Sequence, residues 1–188
     1  MIKIAMFDSK QYDIDSFDSL KTEDIKIKYF ETKLTEDTAD LARGYDAVVV
    51  FVNDTVNSAV IDILHSLGIK LVALRCAGFN NVNLKYAKDK INVIHVPAYS
   101  PEAVAEHTIG ILLTSIRRIH RAYIRSKDFN FSLNGLTGFN LHGKTMGVIG
   151  TGKIGKAFVN ICKGFGMKVL ANDLYPDDSL GIEYTDIE

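Results

Sequence analysis

Cysteine is scarce, and neither sign of charge is in surplus. The chain holds two cysteines, Cys76 and Cys162, far apart and with no C-x-x-C pair. That excludes a disulfide framework and leaves a reduced, cytoplasmic protein as the expectation. Lys and Arg total 22 against 23 Asp and Glu, a formal net charge of -1. No general attraction to nucleic acid or an anionic membrane follows, and neither is expected as a partner. Apolar runs are short and interrupted, so none suits a bilayer core needing ~20 residues. The opening stretch MIKIAMFDSKQYD lacks a basic region followed by a long apolar one, so no secretory signal is expected. Internal repeats and low-complexity tracts are absent. There is no H-E-x-x-H, and no His/Cys/Asp/Glu cluster has metal-ligand spacing.

What is present is apolar content: 47% of 188 residues are hydrophobic, enough to bury the core of one domain or one and a half. Strand and helix patterns alternate from the start. IKIAMF (2–7) and IKIKYF (25–30) read as strands. In TEDTADLARGY, Thr35 suits the cap of a short helix and Gly44 its end. DAVVVFV (46–52) is a continuous apolar run, as in a strand buried on both faces. SAVIDILHSLG has helical spacing at Val60, Ile63, Leu64 and Leu67, stopped by Gly68. IKLVALRC and INVIHVP are two further strands. The alternation predicts a parallel sheet with helices on its faces.

The pattern then changes. The residues from Tyr99 to Asp128 read as one long helix, with Ser100 as cap, Pro101 at the first helical position and Glu102 at the positive end of the dipole. Its apolar positions are Val104, Ile111, Ile116 and Ile119. Arg117, Arg118, Arg121 and Arg125 crowd its C-terminal turns. They can be read as an anion site or, more simply, as cations that favour a helix C-terminus and face solvent. A domain boundary is expected at 99–101, dividing the chain into 1–99 and 100–188. FNFSLNGLTGFNLHG reads as irregular, and KTMGVIG restarts the strand pattern.

That strand leads into G-x-G-x-x-G at Gly150, Gly152 and Gly155, followed by a helical stretch and the strand MKVLAND. In this setting Gly150 allows the tight turn, Gly152 lets backbone approach a pyrophosphate, and Gly155 lets the helix pack on the strand. The amides of Lys153 and Ile154 then sit at a helix N-terminus, where the dipole favours phosphate. Asp173 closes the second strand. A carboxylate there accepts hydrogen bonds from ribose hydroxyls and repels a 2′-phosphate, which points to NAD rather than NADP. The competing reading is a glycine-rich turn of some other α/β fold. A P-loop is excluded, because no Gly-Lys-Ser/Thr follows at the needed spacing.

A second constellation is RCAGFNNV, a loop after a buried strand. Ligands of open parallel sheets bind beyond the carboxyl ends of strands, and the amides of Ala77 and Gly78 are accessible to a small carboxylate. Tyr99, after the next strand and Pro97, is placed to meet the same ligand. A tight turn with Tyr99 packed at a hinge fits equally well.

LRCAGFNNV, VPAYSPEAVAEHTIG, RRIHRAY, GLTGFNLHGKTMGVIGTGKIG and KGFGM, with KQYD and FVND earlier, together resemble the D-2-hydroxyacid dehydrogenases, and among them the fermentative bacterial branch that interconverts pyruvate and D-lactate. The resemblance runs from end to end. It implies an α/β protein with a flavodoxin-like substrate (catalytic) domain, here its N-terminal part at 1–99, followed by the start of a Rossmann NAD-binding domain at 100–188. It also implies NAD as cofactor and a small 2-keto or 2-hydroxy acid as substrate, held by amides matching Ala77 and Gly78 and a hydroxyl matching Tyr99. Lys153, Ile154 and Asp173 match the NAD-holding positions. Relatives usually pair through the nucleotide domain and its long helix, so a homo-oligomer is expected at full length. The family's catalytic Arg, Glu and His are expected beyond the second Rossmann strand, past residue 188. Of the five histidines present, His65, His95, His107, His120 and His142, none has the setting of a general acid/base, and Arg75 reads as a structural strand-end residue. The expectation is an N-terminal portion that does not turn over by itself, with two strands after Tyr99. A sister activity on another 2-hydroxy acid, or a non-catalytic NAD-sensing or interaction role, are the alternatives.

Overall fold

The computed structural model describes residues 1–20 and 22–187. The chain divides into two compact units, Met1–Tyr99 and Ser100–Glu188.

The first unit is a five-stranded parallel sheet built from β1 (Ile2–Met6), β2 (Ile25–Tyr29), β3 (Ala47–Val50), β4 (Leu71–Leu74) and β5 (Asn92–His95). The strand order is β2-β1-β3-β4-β5. This is the 2-1-3-4-5 order of flavodoxin-like sheets. Every residue of β3, the central strand, is buried, as its unbroken apolar run requires. Ala5, Phe7, Val48, Val50, Val60, Leu64 and Val72 form the heart of the core. Phe7 stacks on Phe30, which meets Tyr45 edge-on.

Helices α1 (Gln11–Asp18), α2 (Ser58–Ser66) and α3 (Leu84–Ala87) lie in the crossovers. The Asn57 side chain caps α2 by accepting from the Val60 amide at 3.0 Å. Gly68, at φ 82°, ends it. Helix α1 lies on a stretch to which the sequence reading assigns no element. It is rich in Asp and has no clear apolar stripe, and its start is set by Asp13, whose carboxylate accepts from the Lys10 amide at 2.9 Å. The short helix expected after Thr35 is a single 3-10 turn at Ala39–Ala42.

The second unit contains α4 (Pro101–Arg117), α5 (Ile119–Lys127), β6 (Thr145–Ile149), α6 (Lys153–Gly164), β7 (Lys168–Asn172) and β8 (Glu183–Tyr184). Its parallel sheet runs β6-β7-β8, one half of a nucleotide-binding 3-2-1 arrangement. Three strands thus follow Tyr99, not the expected two. At two residues β8 is too short to show as a strand pattern.

The long helix is also not continuous. Arg118 adopts a left-handed conformation, φ 56°, and separates α4 from α5. The core-facing side of α4 is Ile109, Leu112, Leu113 and Ile116, packed with Val148, Val159 and Val169. Ile111 and Ile119, two of the apolar positions read along this helix, are exposed. Two of the four arginines serve the irregular segment. Arg117 donates to Asn140 Oδ1 at 3.2 Å, and Arg125 donates to the carbonyls of Ser132 and Asn134. Among the described residues no helix is long and apolar enough to cross a membrane.

Candidate functional site

Two local arrangements emerge, one in each unit. In the second unit the turn between β6 and α6 carries the three glycines. Gly150 has φ 88°, open only to glycine without strain. A Cβ on Gly155 would overlap the Gly150 carbonyl oxygen, so the first turn of α6 rests directly on the end of β6. A Cβ on Gly152 would meet nothing within 4 Å. The space over it is a hollow of 460 Å³ whose rim includes Thr108, Ile149, Lys153, Ile154 and Phe158. The first amides of α6 have no intrahelical acceptor and carry the positive end of the dipole. A phosphate fits there without displacing a side chain.

The turn is locked from behind by a relay that sequence reading missed. Asp177 N–H donates to the Tyr184 hydroxyl at 3.0 Å, Tyr184 O–H donates to Thr151 Oγ1 at 3.1 Å, and Thr151 O–H donates to Asp173 Oδ2 at 2.9 Å. The Thr151 amide donates to the same oxygen, and the Tyr175 amide donates to Asp173 Oδ1 at 2.9 Å. These donors, led by the Tyr175 amide, hold the Asp173 carboxyl below its usual pKa. Lys156 pairs with Asp177, whose carboxyl is drawn down to about 2, chiefly by that ammonium. The available signal was Thr151 itself, a polar residue between the first two glycines, almost wholly buried.

In the first unit the loop after β4 is tied on several sides. Val96 N–H donates to the Cys76 carbonyl at 3.2 Å, and His95 Nδ1 lies 2.9 Å from the Ala77 carbonyl oxygen. Phe79 meets the His95 ring edge-on. Asn81 Nδ2 donates to the carbonyls of Phe51 and Asp54, each at 2.9 Å. Among the described residues, the amides of Ala77 and Gly78 find no protein acceptor. Two unsatisfied donors side by side in a fixed loop suit a carboxylate. Tyr99 closes the unit with 61% of its surface exposed and, among the described residues, no hydrogen bond.

Arg75, which precedes this loop, is engaged through its two terminal nitrogens, while its Nε is buried without a hydrogen-bond partner among the described residues. It pairs with Asp13 at 3.1 Å, donates to the Asp8 carbonyl at 2.7 Å and lies over the Phe51 ring at 4.4 Å. Buried Asp54 accepts from the Leu34 and Phe51 amides. Burial pushes its carboxyl up, against the pull of those donors. His65 Nδ1 lies 3.1 Å from the Lys90 carbonyl oxygen, and His142 packs against Gly166. No salt bridge among the described residues involves a histidine, and no group of three His, Cys, Asp or Glu could hold a metal ion.

Comparison with known proteins gives the family. Residues 4–182 match the model of the D-isomer specific 2-hydroxyacid dehydrogenase catalytic domain. D-lactate dehydrogenase of Escherichia coli is 52% identical over 99% of this chain, which covers 58% of that protein. A 2-hydroxyacid dehydrogenase homolog of Haemophilus influenzae is 50% identical over 100% of the chain and 58% of its own length. The apo structure of the Escherichia coli enzyme superposes with a TM-score of 0.91 over 98% of this chain and 60% of that one. D-lactate dehydrogenase from Aquifex aeolicus, solved with NAD and lactic acid, is 32% identical with a TM-score of 0.76, covering 97% of this chain and 55% of that one. The chain therefore spans a little under three fifths of the length of these curated relatives, along their N-terminal part, and it belongs to the D-isomer specific 2-hydroxyacid dehydrogenase family.

Proposed function

We propose that this chain carries the carboxylate-binding and NAD-binding determinants of a dehydrogenase that interconverts pyruvate and D-lactate. The observation that carries the reading is the glycine turn: Gly150 at φ 88°, Gly155 pressed on Gly150, and open space over Gly152 at the start of α6. The amides of Lys153 and Ile154 would hold the pyrophosphate of NAD. Asp173, at the end of β7 beside the turn, would receive a ribose hydroxyl on its carboxylate. Bound there, the nicotinamide cofactor would exchange the hydride that links a 2-keto acid to its 2-hydroxy acid, the reduced form donating it and the oxidised form accepting it. The amides of Ala77 and Gly78, with the Tyr99 hydroxyl, would orient the substrate carboxylate and so the carbon that reacts.

Proton transfer and polarisation of the keto group call for a positioned His and Arg. Among the described residues no histidine makes a salt bridge with a carboxylate, and Arg75 is held in a structural ion pair. In similar proteins these groups lie further along the chain, so the 188 residues by themselves are expected to bind without turning over. Two free, buried cysteines support a cytoplasmic enzyme. Ile119, Tyr123, Ile124 and Phe131, all more than half exposed on or just after α5, support assembly with a second copy.

The test is fluorescence titration of the 188-residue chain with NADH and NADPH, followed by a pyruvate-dependent absorbance assay. Saturable NADH binding, weaker NADPH binding and no turnover are expected. Absence of NADH binding, or equal affinity for the two cofactors, would overturn the nucleotide reading. Turnover surviving removal of host dehydrogenase would overturn the assignment of the proton donor.

A further inference from the structure

A hollow of 580 Å³ opens toward the N-terminal ends of β1 and β2, and the side chains on its rim include Lys3, Lys26, Lys28, Arg43 and Tyr45, with no acidic residue. Its construction follows from register. Lys3 is the direct neighbour of Lys26 across the parallel ladder, and Ala5 is the neighbour of Lys28. Side chains alternate along a strand, so Lys3, Lys26 and Lys28 all leave the sheet on the face that carries Ala5. Ala5 packs with Ala39 and Ala42 of the 3-10 turn. The residues leaving that turn, Arg43, Gly44 and Tyr45, form the opposite wall.

These charges are poorly compensated. Among the described residues the ammonium groups of Lys3, Lys26 and Lys28 make no ion pair and no hydrogen bond. Arg43 has a single exposed partner, Asp40, at 2.7 Å. The Asp46 carboxylate accepts from the Lys3 backbone amide at 2.8 Å. Like charges held directly opposite on adjacent strands are destabilising. Lysines on an edge strand do guard against strand pairing between molecules, and β2 is an edge. That role asks nothing of Lys3, which sits on β1 between β2 and β3, nor of Arg43 across the hollow.

We propose that this hollow is a binding site for a small diphosphate or polyphosphate. Three flexible ammoniums and one planar guanidinium fork match adjacent phosphoryl groups, the fork bidentately. The Tyr45 hydroxyl adds a neutral donor. A hollow of this size fits a small-molecule ligand. It opens at the end of the sheet opposite the carboxylate loop, which follows the C-terminal end of β4. A polyphosphate here therefore occupies a second site and leaves the amides of Ala77 and Gly78 free.

The test is calorimetric titration of the 188-residue chain with inorganic pyrophosphate at low ionic strength. The chain also carries the glycine turn, so two variants separate the sites. Binding at the hollow should weaken at least about tenfold in K26E/K28E and persist in K153E, which places a carboxylate at the turn. It should also weaken as salt is raised, and inorganic phosphate should bind more weakly than pyrophosphate. Circular dichroism checks that the double variant folds. If charge reversal unfolds it, the neutral K26Q/K28Q carries the same comparison. Pyrophosphate binding that K26E/K28E leaves intact, that K153E alone removes, or that never saturates would overturn the proposal. The lysines would then only guard an edge.

Discussion

Thr151 donates both its backbone amide and its hydroxyl to one oxygen of Asp173, the hydroxyl at 2.9 Å. This joins the turn after β6 to the end of β7, and through Tyr184 to β8. The glycine turn is thus shaped before any ligand arrives. Thr151→Val keeps the side chain's volume and the amide bond but loses the hydroxyl. Loss of a hydrogen bond to a charged group is destabilising. Urea denaturation should show that loss in the second unit, with weakened NADH binding beside it. An unchanged midpoint would mean that the relay contributes nothing to the fold.

The three glycines should separate by mechanism. Gly155→Ala drives a Cβ into the Gly150 carbonyl, an overlap with backbone that no rotamer relieves, so the second unit should fail to fold or lose more than about 3 kcal/mol. Gly150→Ala meets no atom but must hold φ 88°, at about 1–2 kcal/mol. Gly152→Ala meets neither obstacle, so its stability should match that of the parent. NADH affinity should nevertheless fall, because the new methyl enters the space a pyrophosphate would fill. Equal NADH affinity in Gly152→Ala and the parent would remove the nucleotide from this turn.

Asp54 does for the first unit what Asp173 does for the second. Its two oxygens accept from the Leu34 amide at 2.7 Å and the Phe51 amide at 2.6 Å, and it is 2% exposed. Asp54→Ala leaves both amides without an acceptor, at about 1–3 kcal/mol for each buried donor. Asp54→Asn should fall between parent and Ala, since an amide side chain accepts one of these bonds and turns a donor toward the other. Thermal melts of the three proteins check the order.

Much of this architecture was legible in the sequence, and the gaps have physical causes. The buried run at β3 and the glycine spacing are local patterns, and they were readable. Helix α1 was not, because its start depends on Asp13 reaching back to the Lys10 amide and its burial depends on Arg75, far away in sequence. Strand β8 has only two residues and exists by pairing with β7. The break at Arg118 adds one left-handed residue to an otherwise helical pattern, which periodicity does not detect. At the candidate site the glycines and Asp173 stood out. Thr151 and Tyr184 did not, because their importance lies in bonds between residues distant in sequence.

The coupling of the glycine turn to Asp173 has a pH signature whose sign is determined. Hydrogen bonds from Tyr175 and Thr151 favour the ionised carboxylate and lower its pKa from the ordinary 3.8. A group with a depressed folded pKa contributes stability that is fully present above the unfolded value and is lost as pH falls through the folded one. Amide-exchange protection of Thr151, corrected for the intrinsic rate, should therefore be flat above pH 3.8 and fall only below it. Asp173→Asn should abolish that acid transition and lower protection at every pH, because an amide side chain cannot accept both Thr151 donors on a charged oxygen. A transition beginning well above pH 3.8 would point to another group and would sever the turn's stability from Asp173.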